Sequence, residues 1–424
     1  MPYHVVIVGG GPAGLLAAIA AAQHGAEVTL LERNNQLGTK LLMSGGGRCN
    51  ITNAGSIDHL VQSFPSNGRF LYSAFQAFSN RDMLDLLAEE GVLTKEEDRG
   101  RIFPVSGDAR DVLAALERRA VGLGVRICLN TRVAQIVKKP GLVAPGWQGF
   151  SLRTEDGTEY LADRIVLCTG GVTYPSTGST GDGYAWVKQF GHTMVKPRPA
   201  VVALETVEDW PQRVQGVALR GAEVLVYVNN KVVTRYHEDV LFTHFGVSGP
   251  AILNVSHHAV QALEQHPGEV ELGIRTDSDL RVDDWEARLQ MALREHPRQL
   301  LKSLVARWWP ASLAEALLEV HGIPPEVMAN QVTRHHRSRT AELLDEFRLT
   351  LKQARPMESA MVTAGGVDVK EIDPRSMRSL KTVGLYIAGE LLDVDGVSGG
   401  YNLQSAYSTG FVAGKSAATD PAEE

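Results

Sequence analysis

A chain of 424 residues, 44% apolar and 21% charged, has ordinary globular composition and enough length for two or three domains. Its net charge of −7 excludes a surface that is basic throughout, so any nucleic-acid contact must come from a local patch. No run reaches the ~18 apolar residues of a membrane span, and Cys49, Cys128 and Cys168 have neither metal-ligand spacing nor the pattern of a disulfide framework. The expectation is a cytoplasmic protein with no membrane segment and no metal site.

The first elements lie in "YHVVIVGGGPAGLLAAIAAAQHGAEVTLLER", which reads as strand, tight turn, helix, strand. Val5–Val8 is the continuous apolar run of a central parallel strand covered on both faces. "LLAAIAAA" has the look of a signal-peptide core, but it follows a strand and a glycine turn without a basic leader, so it reads as a buried helix. Gly9, Gly11 and Gly14, with Ala13 among them, fit GxGxxG. The first glycine permits the turn, the second lets backbone approach a pyrophosphate, and the third lets helix and strand pack closely. The helix N-terminus then offers unpaired N–H groups and partial positive charge. The second strand, Val28–Leu31, ends in Glu32 and Arg33. An acid there accepts hydrogen bonds from the adenosine ribose and argues for FAD or NAD over NADP.

A second glycine string, "MSGGGRCNITN", has no strand immediately before Ser44, so it is not a second nucleotide fingerprint. Residues 164–171, "RIVLCTGG", form an apolar strand ending at Thr169-Gly170-Gly171, another point of close backbone approach. Cys128 and Cys168 read as core.

Residues 195–357 read as an insertion. "AEVLVYVNNKVVTRYHEDVLFTH" alternates, with Asn229-Asn230 marking a hairpin turn. From about residue 278 the period becomes helical. Trp285, Leu289, Ala292 and Leu293 share one face, and Asp283/Glu286 have capping-box spacing. "RQLLKSLVARWWPASLAEALLEVHG" and "RTAELLDEFRLTLKQA" also read as helical, broken at Pro310 and Pro324-Pro325. Residues 296–356 hold nine Lys/Arg against six Asp/Glu, a run that fits either RNA contact or a solvated helix face. Beyond it, "GLYIAGELL" is a buried strand ending at Gly389-Glu390. "DGVSGGYNLQSAYSTGFVAGKSAA" is a glycine loop opening a helix, a second anion-friendly N-terminus.

The implied class is α/β: a Rossmann-like dinucleotide-binding domain with a parallel sheet, interrupted by an inserted β subdomain carrying a nested helical subdomain. The expected divisions are 1–194 and 358–424 for the first, and 195–357 for the insert. Within the insert the β part covers about 195–264 and 341–357, and the helical part about 265–340.

The motifs "GGGPAG", "LLERNNQLGTKLLMSGGGRCNITN", "DRIVLCTGGVTYPSTGSTGDGYAWVKQFGH", "FTHFGVSGPAIL", "VTAGGVDVKEIDPRSM" and "GLYIAGELLDVDGVSGGYNLQSAYSTGFVAGKSAA" resemble the BaiN/RdsA family of FAD-dependent oxidoreductases, within the glutathione-reductase-like flavoproteins. The resemblance implies FAD as cofactor, with NADH or NADPH docking transiently, since no second complete GxGxxG appears. It implies that Glu390 bonds the ribityl hydroxyls, where many relatives carry Asp, and that the N–H groups of Asn402 and Leu403 face the flavin N1/C2 carbonyl. Asp182, Thr169, Gly170, Gly389 and the Val133 backbone join the cofactor contacts. The second glycine string borders the reaction chamber, with Gly46 against the isoalloxazine and Arg48 reaching the pyrophosphate or the anionic edge of the flavin. The implied reaction is reduction of a polarised C=C bond, either a uridine of large-subunit ribosomal RNA to dihydrouridine or a small molecule, as in bile-acid reductases and aminoacetone oxidases. Cys49, Tyr174 and His244 are the candidate proton donors. The competing readings are a buried structural thiol for Cys49 and structural hydrogen-bonders for the other two.

Overall fold

The computed structural model describes residues 2–140 and 148–420. The chain divides into two compact units, Met1–Arg198 with Met357–Glu424, and Pro199–Pro356.

The first unit is built on a five-stranded parallel sheet in the order Leu385–Ile387, Arg164–Leu167, His4–Val8, Glu27–Leu31, Arg126–Cys128. Val5, Val6 and Ile7 of the central strand are fully buried, as a strand covered on both faces requires. Cys168 is buried just past the Arg164–Leu167 strand. Cys128, expected in the core, is only half-buried because its strand is the sheet edge.

Two helices of this unit lie unusually close. Pro12–Gln23 is almost wholly small or branched apolar residues, and Tyr401–Thr419 carries Gly410 and Gly414 one turn apart. A Cβ on Gly410 would sit 2.1 Å from the Ala13 carbonyl oxygen, and one on Gly414 would sit 2.0 Å from that of Ala17. Neither distance is tolerable for a real side chain, so the two backbones touch where side chains would normally separate them. Because 410 lies level with 13 and 414 with 17, the helices run in the same sense. The later helix therefore extends about 14 Å beyond Ala13 on its N-terminal side, at 1.5 Å per residue.

The second unit is a closed antiparallel barrel. Its strands follow the order Leu204–Thr206, Gly246–Ser248, Lys231–Thr243, Ala218–Val228, Val270–Arg275, Phe347–Ala354. The hairpin expected at Asn229-Asn230 is present. Both residues have left-handed backbone, φ 49° and 60°, the geometry a tight two-residue turn needs.

Several local expectations are corrected within this unit. The stretch assigned to helices contains the barrel strand Val270–Arg275, and helix Pro250–Gln265 lies where strand was expected. "RTAELLDEFRLTLKQA" is helical only to Asp345. From Phe347 the buried Phe347, Leu349 and Leu351 alternate with outward Arg348 and Thr350, a period of two that makes a strand. The helix Val282–Glu295 begins two residues before the expected cap: the Arg281 N–H donates to Asp284 Oδ2 at 3.0 Å, while Glu286 pairs with Arg337 instead.

Replacing Gly410 with Ala should destabilise the first unit by about 1–3 kcal/mol, the usual cost of overpacking, read as a lower urea midpoint at an unchanged slope. A second expectation concerns acid. His192 is buried, with Nδ1 3.1 Å from Glu371 Oε2 and Nε2 2.7 Å from Ser379 Oγ. Burial holds the imidazole below its ordinary pKa. Burial works against ionisation of Glu371, but the Thr193 N–H and hydroxyl and His192 outweigh it and hold the carboxyl at about 2. Both depressed values mean that the unfolded chain binds protons first, so stability present at neutral pH declines as pH falls below about 6.5. The melting temperature should follow that course, and His192→Gln should flatten its upper part.

Candidate functional site

The glycine fingerprint works as a close-packed turn with one open edge. Gly9 has φ 106°, and a Cβ there would lie 2.5 Å from the Cys168 carbonyl oxygen; a Cβ on Gly14 would lie 1.8 Å from that of Gly9. Gly11 differs, because nothing lies within 4 Å of its Cβ position. The first and third glycines thus seat helix against strands, and the middle one faces free space. The helix Pro12–Gln23 has no side-chain cap, so its first-turn N–H groups, Ala13 and Gly14 among them, point outward unpaired. Glu32 is buried at the end of its strand, accepting from Gly10 N–H at 2.7 Å and Asn34 N–H at 2.8 Å. Each oxygen keeps a lone pair for a further donor.

Next to Glu32, Arg33 donates to the Thr180 hydroxyl at 2.6 Å and to Asp182 at 3.3 Å. Arg132 grips the same carboxylate through Nε at 3.0 Å, and Asn34 holds the Thr177 carbonyl at 2.9 Å. Burial opposes ionisation of Asp182, but the hydrogen bonds from Arg132 and Thr180 and the charge of Arg33 hold its pKa below the ordinary value. Asp182, expected among the cofactor contacts, has its carboxylate held by two guanidinium groups, and the result is a strap from Tyr174 to Asp182 tied across the residues after Glu32. Val133 is buried at the start of its own strand.

Beside the first turn of Pro12–Gln23, Gly389 has φ 73°, and its Cβ would lie 2.8 Å from that of Ala13. Its N–H donates to the Thr409 hydroxyl at 3.0 Å. Glu390 follows. Lys40 Nζ reaches its Oε2 at 2.8 Å, while the Thr363 N–H at 2.6 Å and the Thr173 hydroxyl at 3.3 Å reach Oε1. The sequence reading placed Glu390 but missed Lys40, Thr173 and Thr363. No local spacing links a lysine to a carboxylate 350 positions away.

The second glycine string now has a purpose. Gly45, Gly46 and Gly47 all take left-handed backbone, with φ 57°, 68° and 86°, which doubles the chain back into the strand Thr52–Asn53. That strand seats the start of the helix Tyr401–Thr419. A Cβ on Gly400 would meet the Thr52 carbonyl at 2.5 Å, Thr52 Oγ1 donates to Gln404 Oε1 at 2.7 Å, and Asn53 Nδ2 reaches the Gly399 carbonyl at 3.3 Å. The Asn402 amide ties the preceding loop through Gly396, accepting at 2.8 Å and donating at 2.7 Å. This helix also opens without a side-chain cap, leaving the Asn402 and Leu403 N–H groups pointing outward. Gly46 is exposed, with nothing within 4 Å of its Cβ position.

Four further candidate residues are placed as follows. Arg48 pairs with Glu97 at 3.1 Å through one guanidinium nitrogen and lies over the Phe103 ring, 4.1 Å from its centroid, on the strands Thr94–Glu97 and Arg101–Pro104 that pair beside Thr52–Asn53. Cys49 is fully buried beside the Ser44 and Tyr407 hydroxyls, and burial pushes its thiol up to about 11. A sealed neutral thiol is a core residue, not a proton donor. Tyr174 stands half-buried with φ 50°, its carbonyl accepting from the Thr177 N–H at 2.8 Å and hydroxyl at 2.7 Å. His244 belongs to the barrel unit, where it is exposed with its ring edge-on to Phe245.

The donor set fits a long dinucleotide with a ring system at its far end. It comprises two uncapped helix N-termini, a buried carboxylate at Glu32, a partly buried one at Glu390, and backbone at Gly11 and Gly46 that leaves room for a ligand. The Thr39, Thr169 and Tyr184 hydroxyls are buried without a protein partner, as expected of groups awaiting one. Among the described residues no cluster could hold a metal, and no helix is long and apolar enough to cross a membrane. In the basic run, Lys302, Arg337, Arg339, Arg348 and Arg355 are all ion-paired to carboxylates. Trp309 is buried, donating to Thr276 at 3.1 Å, and Trp308 packs edge-on to Trp285.

The model for the HI0933-like protein Rossmann domain matches residues 3–416. A ribosomal RNA dihydrouridine synthase of Haemophilus influenzae is 30% identical over 96% of each chain. A 3-dehydro-bile acid delta(4,6)-reductase of Clostridium scindens is 31% identical over 98% of this chain and 99% of its own. Among solved structures, the fold is similar to 3-ketosteroid delta1-dehydrogenase from Sterolibacterium denitrificans, with a TM-score of 0.53, 13% identity and coverage of 98% and 99%.

Iodoacetamide at pH 8 should leave Cys49 unmodified in the folded protein and label it on unfolding, as read by peptide mass spectrometry. Fast labelling of the native thiol would show that it is open to solvent.

Proposed function

The chain belongs to the HI0933-like Rossmann family and is a flavoprotein oxidoreductase; within that class we propose that it uses FAD and NAD(P)H in the cytoplasm to reduce a polarised C=C bond, the substrate being a uridine of large-subunit ribosomal RNA. The observation that carries this reading is the stagger of two parallel helices whose uncapped N-termini are offset by about 12 Å. One anionic group at each N-terminus, a diphosphate and a reducible ring, matches that arrangement.

In this reading the N–H groups at Ala13 and Gly14 hold the diphosphate and Glu32 takes the adenosine ribose. Glu390, steadied by Lys40, takes the ribityl chain. The N–H groups of Asn402 and Leu403 face a carbonyl edge that gains negative charge on reduction, so they stabilise the reduced state without rearranging. When bound, the isoalloxazine supplies two-electron, hydride-level chemistry. The protein must also deliver a proton to the second carbon of the reduced bond. Of the three candidate acids, Cys49 is sealed, while Tyr174 and His244 are exposed enough to meet a substrate.

A small-molecule enone reductase is the second reading. It is favoured by the bile-acid reductase relative and by the ion pairing that neutralises much of the basic run.

Purified protein should carry the visible absorbance of oxidised flavin. With NADPH and unmodified ribosomal RNA fragments it should raise dihydrouridine at the expense of uridine, measured by nucleoside mass spectrometry. Flavin-loaded protein that leaves the RNA unchanged, yet oxidises NADPH faster when a steroid enone is added, would transfer the assignment to the second reading.

A further inference from the structure

An ammonium–carboxylate pair lies within the proposed site. Lys40 Nζ is 2.8 Å from Glu390 Oε2, with the two side chains only 26% and 21% exposed. The same ammonium donates to the Thr173 hydroxyl at 2.8 Å, and Glu390 Oε1 accepts from the Thr363 N–H at 2.6 Å. The cluster is packed without slack. A Cβ on Gly171 would lie 2.2 Å from Thr363 Oγ1 and 3.3 Å from Glu390 Oε1, so only glycine fits behind it. The carboxylate is thus fixed in place before any ligand arrives, and its charge is met by a cation from a segment far away in sequence.

Anchoring a ribityl hydroxyl needs an acceptor, and a carboxylate alone provides one. It does not need an ammonium on the opposite side. A lone carboxylate at the ribityl chain, which carries a ring that becomes more negative on reduction, would oppose that reduction, the more so in partly desolvated surroundings where charges are weakly screened. We propose that Lys40 is a charge-balancing and positioning residue that, through its ion pair with Glu390, sets the reduction potential of the bound flavin. This rests on the FAD reading given above.

The test compares FAD-loaded wild type with Lys40→Met, Lys40→Arg, Glu390→Gln and the Lys40→Met/Glu390→Gln double variant, measuring each midpoint potential by dye-coupled spectral titration. Lys40→Met leaves the carboxylate uncompensated and should shift the potential negative. Glu390→Gln leaves the ammonium uncompensated and should shift it positive. The double variant should return close to wild type, and Lys40→Arg should stay there. A Lys40→Met potential at or above the wild-type value overturns the proposal. So does a Glu390→Gln shift of the wrong sign, which can be read even if Lys40→Met does not fold. A wild-type protein that never takes up FAD would instead overturn the cofactor reading itself, and this inference with it.

Discussion

The site depends on how closely two helices approach. Side chains usually hold parallel helices 8–10 Å apart. Here Gly410 and Gly414 remove them on one side, and the backbone carbonyls of Ala13 and Ala17 meet them on the other. Backbone contact of this kind fixes register as well as distance, because a slip of one residue would bring a larger side chain against a carbonyl. Register is what matters for chemistry. It determines how far apart the two partial positive charges at the N-termini stand, and so the length of anionic ligand that can meet both. Gly389 against Ala13, and Gly14 against Gly9, extend the same device to the strand ends, so the dinucleotide cradle is assembled from backbone with few side chains between.

Around this scaffold the side chains mostly hold one another. Glu32 fixes Gly10 and Asn34, Asp182 joins Arg33 to Arg132, Asn402 closes the loop at Gly396, and Glu390 gathers Lys40, Thr173 and Thr363. Each such group is polar and partly desolvated, and each is satisfied by the protein before a ligand contributes anything. Preorganisation of this kind means that binding need not order the residues that do the binding.

The sequence revealed what is encoded locally. The fingerprint glycines, the acid after the second strand and the Asn229-Asn230 turn are signals read over a few residues, and each lies where its backbone geometry demands. Pairings made by tertiary packing were not legible. Lys40 has no neighbour in sequence that announces Glu390, and Arg48 looked free only because Glu97 and Phe103 arrive from other strands. The ion pairs of Asp182 were hidden for the same reason: its two arginines come from separate elements. In the barrel unit, the strand Phe347–Ala354 lies in the stretch assigned to the β part, but the motif before it was read as helix through the same residues, since a window spanning both blends two periodicities. Cys49 was ambiguous until burial was known, because a thiol in a glycine loop reads equally well as reactive or as inert.

The contact of Gly410 with Ala13 also has a bearing on biosynthesis. Its partners stand about 400 residues apart in the chain, so the first glycine turn emerges from the ribosome long before the helix that completes its neighbourhood. Until that helix is made, the exposed small-residue face of Pro12–Gln23 has nothing to pack against, and the nascent polypeptide lacks half of its nucleotide cradle. Contacts of such high sequence separation form late and slowly, so the cradle is complete only after Tyr401–Thr419 has been made and has packed.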